Sequence, residues 1–406
     1  MISKFNLPSK IVFCKKCVMS NQRPSSIPEF FHTKERKNAK YLNINKQDGI
    51  CDACKHYETR DDINWEDREK KLIKLLNKHR KNNGEYDCLV PGSGGKDSAY
   101  QAHILKHKYK MNPLVLTWPP ILYTDYGLKN YDNWINVGGF DALVVRPNGK
   151  TMKKLTQLSI INLLHPFQTF ILGQKNIAPK IASKFGIKLV FYGENEAEGG
   201  NPIAENNNSL RKKSYFAVKN YKNIFLAGTK VTELLEKYKF KYQDLKIFFP
   251  INDNEINKTK IEIHYLGYYL KWTSQEAFYY AAKNTGFKPR PFRSQGTYSK
   301  YHSVDDKIDD FHFYTTFIKF GIGRATYDAS QEIKNKHLTR EEGKNLVKKF
   351  DGEFPKKYFS EVMNYLDIKE DYFFKLCDKF RSPHIWKKKG DIWKLRHTVN
   401  KDGVDD

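Results

Sequence analysis

The stretch from Tyr86 to Ala99, YDCLVPGSGGKDSA, constrains this chain more than any other. Its apolar beginning has no helical period and reads as a buried strand. Glycines break the run, and the chain resumes as a helix whose face carries Ala99, Ala102, Ile104 and Leu105. A strand, a glycine turn and a helix start make an anion site. Gly94 and Gly95 allow close backbone approach, while the first helical N–H groups and the positive end of the dipole face the ligand. Lys96 adds a mobile charge, and Ser93 and Ser98 add hydroxyl donors. A plain turn with a solvated lysine is the competing reading, and two glycines before Lys96-Asp97-Ser98 weigh against it.

The loop is not a Walker A motif, because the longer spacing before Gly-Lys-Ser/Thr is missing. Ser93-Gly94-Gly95-Lys96-Asp97-Ser98 instead resembles the pyrophosphate loop of the ATP-pyrophosphatase enzymes, which cleave ATP between the α- and β-phosphates and adenylate a carbonyl oxygen. The resemblance implies that Ser93 to Ser98 hold pyrophosphate, with Asp97 near Mg²⁺. Gly92 stands where many relatives carry an apolar residue.

A formal net charge of +25 would ordinarily point to nucleic acid or an anionic surface. Here Lys greatly outnumbers Arg and the charge is scattered, so it favours a small phosphorylated substrate over RNA. No apolar run approaches the roughly 20 residues of a membrane span. Lys4, Pro8 and Lys10 interrupt any signal-peptide core, so a cytoplasmic location is expected.

In a reducing compartment, six cysteines argue for metal ligands rather than disulfides. Cys14-Lys15-Lys16-Cys17 and Cys51-Asp52-Ala53-Cys54 are two knuckles whose four thiolates complete a closed structural Zn²⁺ site. The insert between them is longer than in a compact ribbon. A redox pair is the rival, but neither knuckle follows a thioredoxin-like βαβ pattern. Residues 1–80 are therefore read as a zinc-binding segment with a bridging helix from Asn64 to Arg80.

Residues 81–250 alternate strand and helix, the mark of a parallel sheet flanked by helices, so the fold class is α/β. Later strands are placed at Pro113 to Trp118, Ala142 to Val145 and Ile187 to Tyr192, and helices at Lys150 to Leu164 and Thr169 to Phe185. Ligands lie beyond the carboxyl ends of such strands. That puts Ser93–Ser98, Thr117-Trp118, Arg146-Pro147-Asn148 and Gly193-Glu194-Asn195 on one rim. Asn201 to Tyr221 reads as a polar insertion over it.

Residues 251–406 read as mainly helical and aromatic. Asp306, Asp309, Asp310 and Phe313 would be helical neighbours. Lys319 and Arg324 flank Gly321-Ile322-Gly323, a grip suited to phosphate or carboxylate, and a sugar's anion is the expected occupant.

The knuckles, the phosphate loop, His165-Pro166-Phe167, Gly193-Glu194-Asn195, Gly267-Tyr268-Tyr269, Gly296 to Tyr301 with Asp305 to Asp309, and Lys319 to Arg324 occur in that order. Together they resemble the N-acetyl sugar amidotransferases of surface-polysaccharide and nonulosonic-acid biosynthesis, which convert a sugar acetamido group to an acetamidino group. The resemblance implies that ATP activates the amide oxygen and ammonia displaces AMP. Lys96 and Asp97 would serve catalysis, with Glu194, Asp305, Asp306 or Asp309 orienting ammonia or accepting its proton. Thr117 and Trp118 would join the loop in binding ATP, and Asn195, Lys300, His302, Lys319 and Arg324 would bind the nucleotide-linked or acidic sugar. Cys88 and Cys377 read as core, so ammonia would come from a partner glutaminase and channel subunit similar to those of histidine biosynthesis. The alternative is a tRNA-modifying ATP-pyrophosphatase, which would need a basic tRNA face.

Overall fold

Leu89 pairs with Leu114 on one side and Val190 on the other, both in parallel, so the run before the glycines is the centre of a sheet. The computed structural model describes residues 3–25, 27–36, 39–193 and 208–401. Strands β1 (Cys88–Pro91), β2 (Pro113–Thr117), β3 (Asp141–Val144), β4 (Leu189–Tyr192) and β5 (Glu262–Tyr265) lie in the order β3-β2-β1-β4-β5. All their pairings are parallel. Every residue of β2 is buried, as expected when helices cover both faces of a sheet. Strand order reverses beside β1, which opens a crevice at the carboxyl ends of β1 and β4.

Around the sheet run α1 (Asp52–Thr59), α2 (Trp65–His79), α3 (Lys96–His103), α4 (Asp125–Asn136), α5 (Gly149–Leu163) and α6 (Gln168–Lys184). Asn64 caps α2 by accepting from the Asp67 N–H at 3.1 Å, and Leu72 and Leu76 form its buried stripe. Further along are α7 (Ser274–Asn284), α8 (Asp309–Phe320), α9 (Arg324–Lys334) and α10 (Arg340–Phe350). No described helix is both long and apolar enough to cross a membrane.

The parallel sheet does not end by residue 250, where the sequence reading placed a boundary. β5 adds its fifth strand beyond that point. Glu262 and His264 interrupt its apolar pattern at the sheet edge, where the outer side meets only a short antiparallel bridge from Leu210 to His264. Lys78 reaches Glu262 at 2.5 Å there. The helical region also shares its core with the sheet domain: Ile160, Leu164 and Phe167 pack with Phe311, Ile318 and Phe373. The cysteine segment packs against Phe320, Ile322 and Trp386 of the same region.

Candidate active site

The loop after β1 turns sharply because Gly94 takes φ +81°, and a Cβ there would meet the Tyr131 Cα at 2.7 Å. Gly92, the departure from the apolar residue of many relatives, has a local cause. Its Cβ would lie 2.2 Å from the Ser98 Cβ. The Ser98 hydroxyl donates to the Gly95 carbonyl at 3.0 Å. Lys96 is only 3% exposed, and its Nζ lies 2.5 Å from Asp97 Oδ2. Asp97 Oδ1 is buried with no hydrogen-bond partner among the described residues, an arrangement that suits a cation.

These groups open onto a cleft of about 370 Å³ at the strand ends. Ser93, Gly95, Asp97 and Ser98 line one wall, facing Gln174 and Lys175 of α6, with Tyr192 and Arg211 nearby. Sequence reading missed these last four. Gln174 and Lys175 lie within a helix with no local motif, and Arg211 lies in what read as an insertion. Trp118, expected to touch ATP, is buried instead. It packs so closely on Gly173 that a Cβ there would sit 2.2 Å from its ring, and it stacks edge-on with Phe248. Thr117 is fully buried at the end of β2 and does not line the cleft. Glu194 and Asn195 lie outside the described residues, as does the first part of the 201–221 insertion.

The C-terminal block closes over the phosphate loop. Lys96 Nζ lies 5.9 Å from the Tyr301 ring centre. Next to it, the His302 Nε2 and Ser274 hydroxyl are 2.8 Å apart, and His302 Nδ1 lies 3.3 Å from Asp328. Burial lowers the pKa of His302, although Asp328 pulls the other way. Burial also opposes ionisation of Asp328, but Arg324, His302 and Thr297 outweigh it and hold this carboxyl well below the usual range. Lys300 is exposed at the edge of the block.

The carboxylates separate into different jobs. Asp306 precedes α8 rather than sharing its face. It accepts from the Ile121 N–H at 2.5 Å and the Ile308 N–H at 2.9 Å, and so anchors the block to the segment after β2. Asp305 is the contact next to it, since a Cβ on Gly127 would lie 2.4 Å from its Cα. Burial raises the carboxyls of both Asp306 and Asp309, the latter to about 6 with Arg324 opposing.

Asp310 lies 4.0 Å from the buried Arg290, and burial raises its pKa to about 7 against that arginine's pull. An unfolded Asp titrates near 4, so between about pH 4 and 7 the folded state holds the extra proton. Stability therefore falls as pH rises through that window, by up to about 1.4 kcal/mol per pH unit for one group. Asp310→Asn should flatten this slope in denaturant unfolding compared at about pH 5 and about pH 8. An unchanged slope would exclude Asp310 as its source.

The expected anion grip at Gly321 to Arg324 already has an occupant. Asp351 accepts from the Gly323 N–H at 2.9 Å and the Thr326 N–H at 3.1 Å, capping α9 with the chain's own carboxylate. Lys319 turns the other way and donates to the Leu163 carbonyl at 2.7 Å. Arg324 pairs with Asp328 at 3.0 Å and lies 4.3 Å over the Phe313 ring. Lys319 and Arg324 are thus not brought together on a ligand.

The four knuckle cysteines converge. Cys14 Sγ is 3.9 Å from Cys54 Sγ, Cys17 Sγ is 3.8 Å from Cys51 Sγ, and all four are buried. Tetrahedral Zn–S bonds of 2.3 Å would place sulfurs about 3.8 Å apart, so the donor set fits zinc. The Cys51 N–H points at Cys14 Sγ at 3.3 Å. Cys88 and Cys377 are buried in the core, and burial pushes the Cys377 thiol up to about 12. Neither is an activated nucleophile.

Residues 295–400 match the family model of the LPS biosynthesis protein WbpG-like, C-terminal domain. An uncharacterized protein, MJ1599 of Methanocaldococcus jannaschii, is 41% identical over 51 residues, 13% of this chain and 18% of the relative. Two solved structures share 12% and 16% identity. NMN synthetase from Francisella tularensis covers 70% of this chain and 96% of its own, at a TM-score of 0.30. A predicted subunit of tRNA methyltransferase from Methanocaldococcus jannaschii covers 48% and 75%, at 0.24. The fold therefore rests on this chain's own strand order and loop.

Proposed function

We propose that this chain is an ATP-dependent amidotransferase of bacterial surface-glycan biosynthesis, converting an acetamido group on a sugar to an acetamidino group. The observation that carries the reading is the phosphate loop at the sheet's switch point, with Lys96 Nζ 5.9 Å from the ring centre of Tyr301, in the block that matches the LPS-biosynthesis domain.

An amide carbon is a poor electrophile and its oxygen a poor leaving group. Attack of that oxygen on the α-phosphorus, with departure of pyrophosphate, leaves an O-adenylated imidate. Ammonia then bonds to the imidate carbon, the C–O bond to AMP breaks, and a cationic amidine remains. Lys96 and the loop N–H groups would stabilise charge on the leaving pyrophosphate. Asp97, with its unpartnered oxygen, would hold a Mg²⁺ that screens the phosphates when bound. Asp309, raised to about 6, would take the proton lost by nitrogen. Ammonia would come from a partner glutaminase, and the four cysteines would hold a structural Zn²⁺.

Incubation with ATP, an ammonium salt and a nucleotide-linked N-acetyl sugar tests the reading. AMP and pyrophosphate should form in equal amounts with a product in which NH has replaced the amide oxygen by mass. AMP formation that depends on tRNA and ignores the sugar would overturn it.

A further inference from the structure

A second group of metal-ligating side chains uses none of the cysteines and no residue of the phosphate loop. Glu29 and His32 sit on the segment between the two knuckles, and His165 on the turn joining α5 to α6. One donor atom from each lies within 4.8 Å of the others. His32 Nδ1 and Glu29 Oε2 are already 3.3 Å apart. Tetrahedral N and O donors at about 2.0–2.1 Å from a metal stand about 3.4 Å apart, so this pair is in place and His165 has only to swing inward. His165 Nδ1 and Glu29 Oε2 are buried without a hydrogen-bond partner among the described residues. Beside the two imidazoles is a cavity of about 10 Å³, the room one water molecule needs. The Gln168 amide donates to the Glu29 carbonyl at 2.9 Å and holds that backbone against α6.

From this geometry we infer that Glu29, His32 and His165 bind one first-row divalent ion of the zinc type, with water as the fourth ligand. Two imidazoles and one carboxylate favour such an ion over Mg²⁺ or Ca²⁺, which prefer all-oxygen shells. The ion would clamp the segment between the knuckles to the α5–α6 turn, joining parts of the chain more than 130 residues apart, as the Gln168–Glu29 separation of 139 indicates. Arg36 and Lys319 line the same cavity, and Lys175 faces Glu29 Oε1 at 3.7 Å. Their charge opposes the ion, so this site should release it to a chelator before the four thiolates release theirs. The inference is independent of the ATP reading.

The test uses the full chain saturated with Zn²⁺, freed of excess by gel filtration, and read by elemental analysis and X-ray absorption. Two equivalents per chain, with imidazole scattering alongside a sulfur shell, are expected. Glu29→Gln with His165→Ala should leave one equivalent and an all-sulfur shell, with unchanged circular dichroism. A wild-type protein without imidazole scattering would overturn the site, and so would two equivalents in the folded double variant. If the double variant fails to fold, the wild-type absorption spectrum decides alone.

Discussion

Lys96→Ala is expected to cut AMP and pyrophosphate formation by about 10²- to 10³-fold while the chain stays folded. Lys96 is the first residue of α3 and is buried, and its ammonium pairs with Asp97 among the described residues. A charge so placed acts on a phosphate where water is partly excluded, which strengthens it over the same charge in solution. The fold should tolerate its loss, because the Asp97 side chain is about a third exposed and water can solvate the abandoned carboxylate. Asp97→Asn should be comparably damaging by weakening Mg²⁺ binding, and a higher Mg²⁺ concentration should recover part of its activity. Coupled assays for AMP and pyrophosphate, with thermal unfolding as the control, decide it. Release of ADP and phosphate by the wild type would mean that the loop has been misread.

The second large effect concerns stability. Replacing Cys14, Cys17, Cys51 and Cys54 by serine, or stripping zinc with a chelator, is expected to cost several kcal/mol and to lower Tm by about 10 °C. The polar segment between the knuckles has little core of its own, and metal binding can supply on the order of 10 kcal/mol of folding energy. The damage should spread to the C-terminal helices. Arg340 of α10 donates to the carbonyls of Cys17 and Cys14 at 3.2 and 3.3 Å, and Phe320 and Trp386 pack on the same cluster. Hydrogen exchange should therefore rise in α10 as well as around the knuckles. An unchanged Tm after full metal removal would show that the thiolates do not bear this load.

Local signals in the sequence determined a good deal. Period-free apolar runs marked β1, β2 and β4, because strands buried on both faces need apolar residues throughout, and a shorter apolar run marked the more exposed β3. Capping and periodicity placed α2, α5 and α6 within a residue or two. Gly94 declared its turn because an L side chain at φ +81° is strained. Paired Cys-x-x-Cys knuckles announced a four-thiolate cluster, since each brings two sulfurs together through local backbone alone.

Tertiary structure decided what depends on partners distant in the chain. Asp306 and Asp309 look alike in sequence and burial raises both carboxyls, yet one is spent on backbone N–H groups of the segment after β2 while the other lies near Arg324. Gly321 to Arg324 reads as an anion grip, and only the return of Asp351 from 28 residues beyond Gly323 shows that the chain fills it itself. Trp118 reads as a rim residue, and only Gly173 and Phe248 show that it is core. A side chain's type limits the bonds it can make, but burial and the charge facing it choose among them, and both are set by residues that sequence neighbours do not contain.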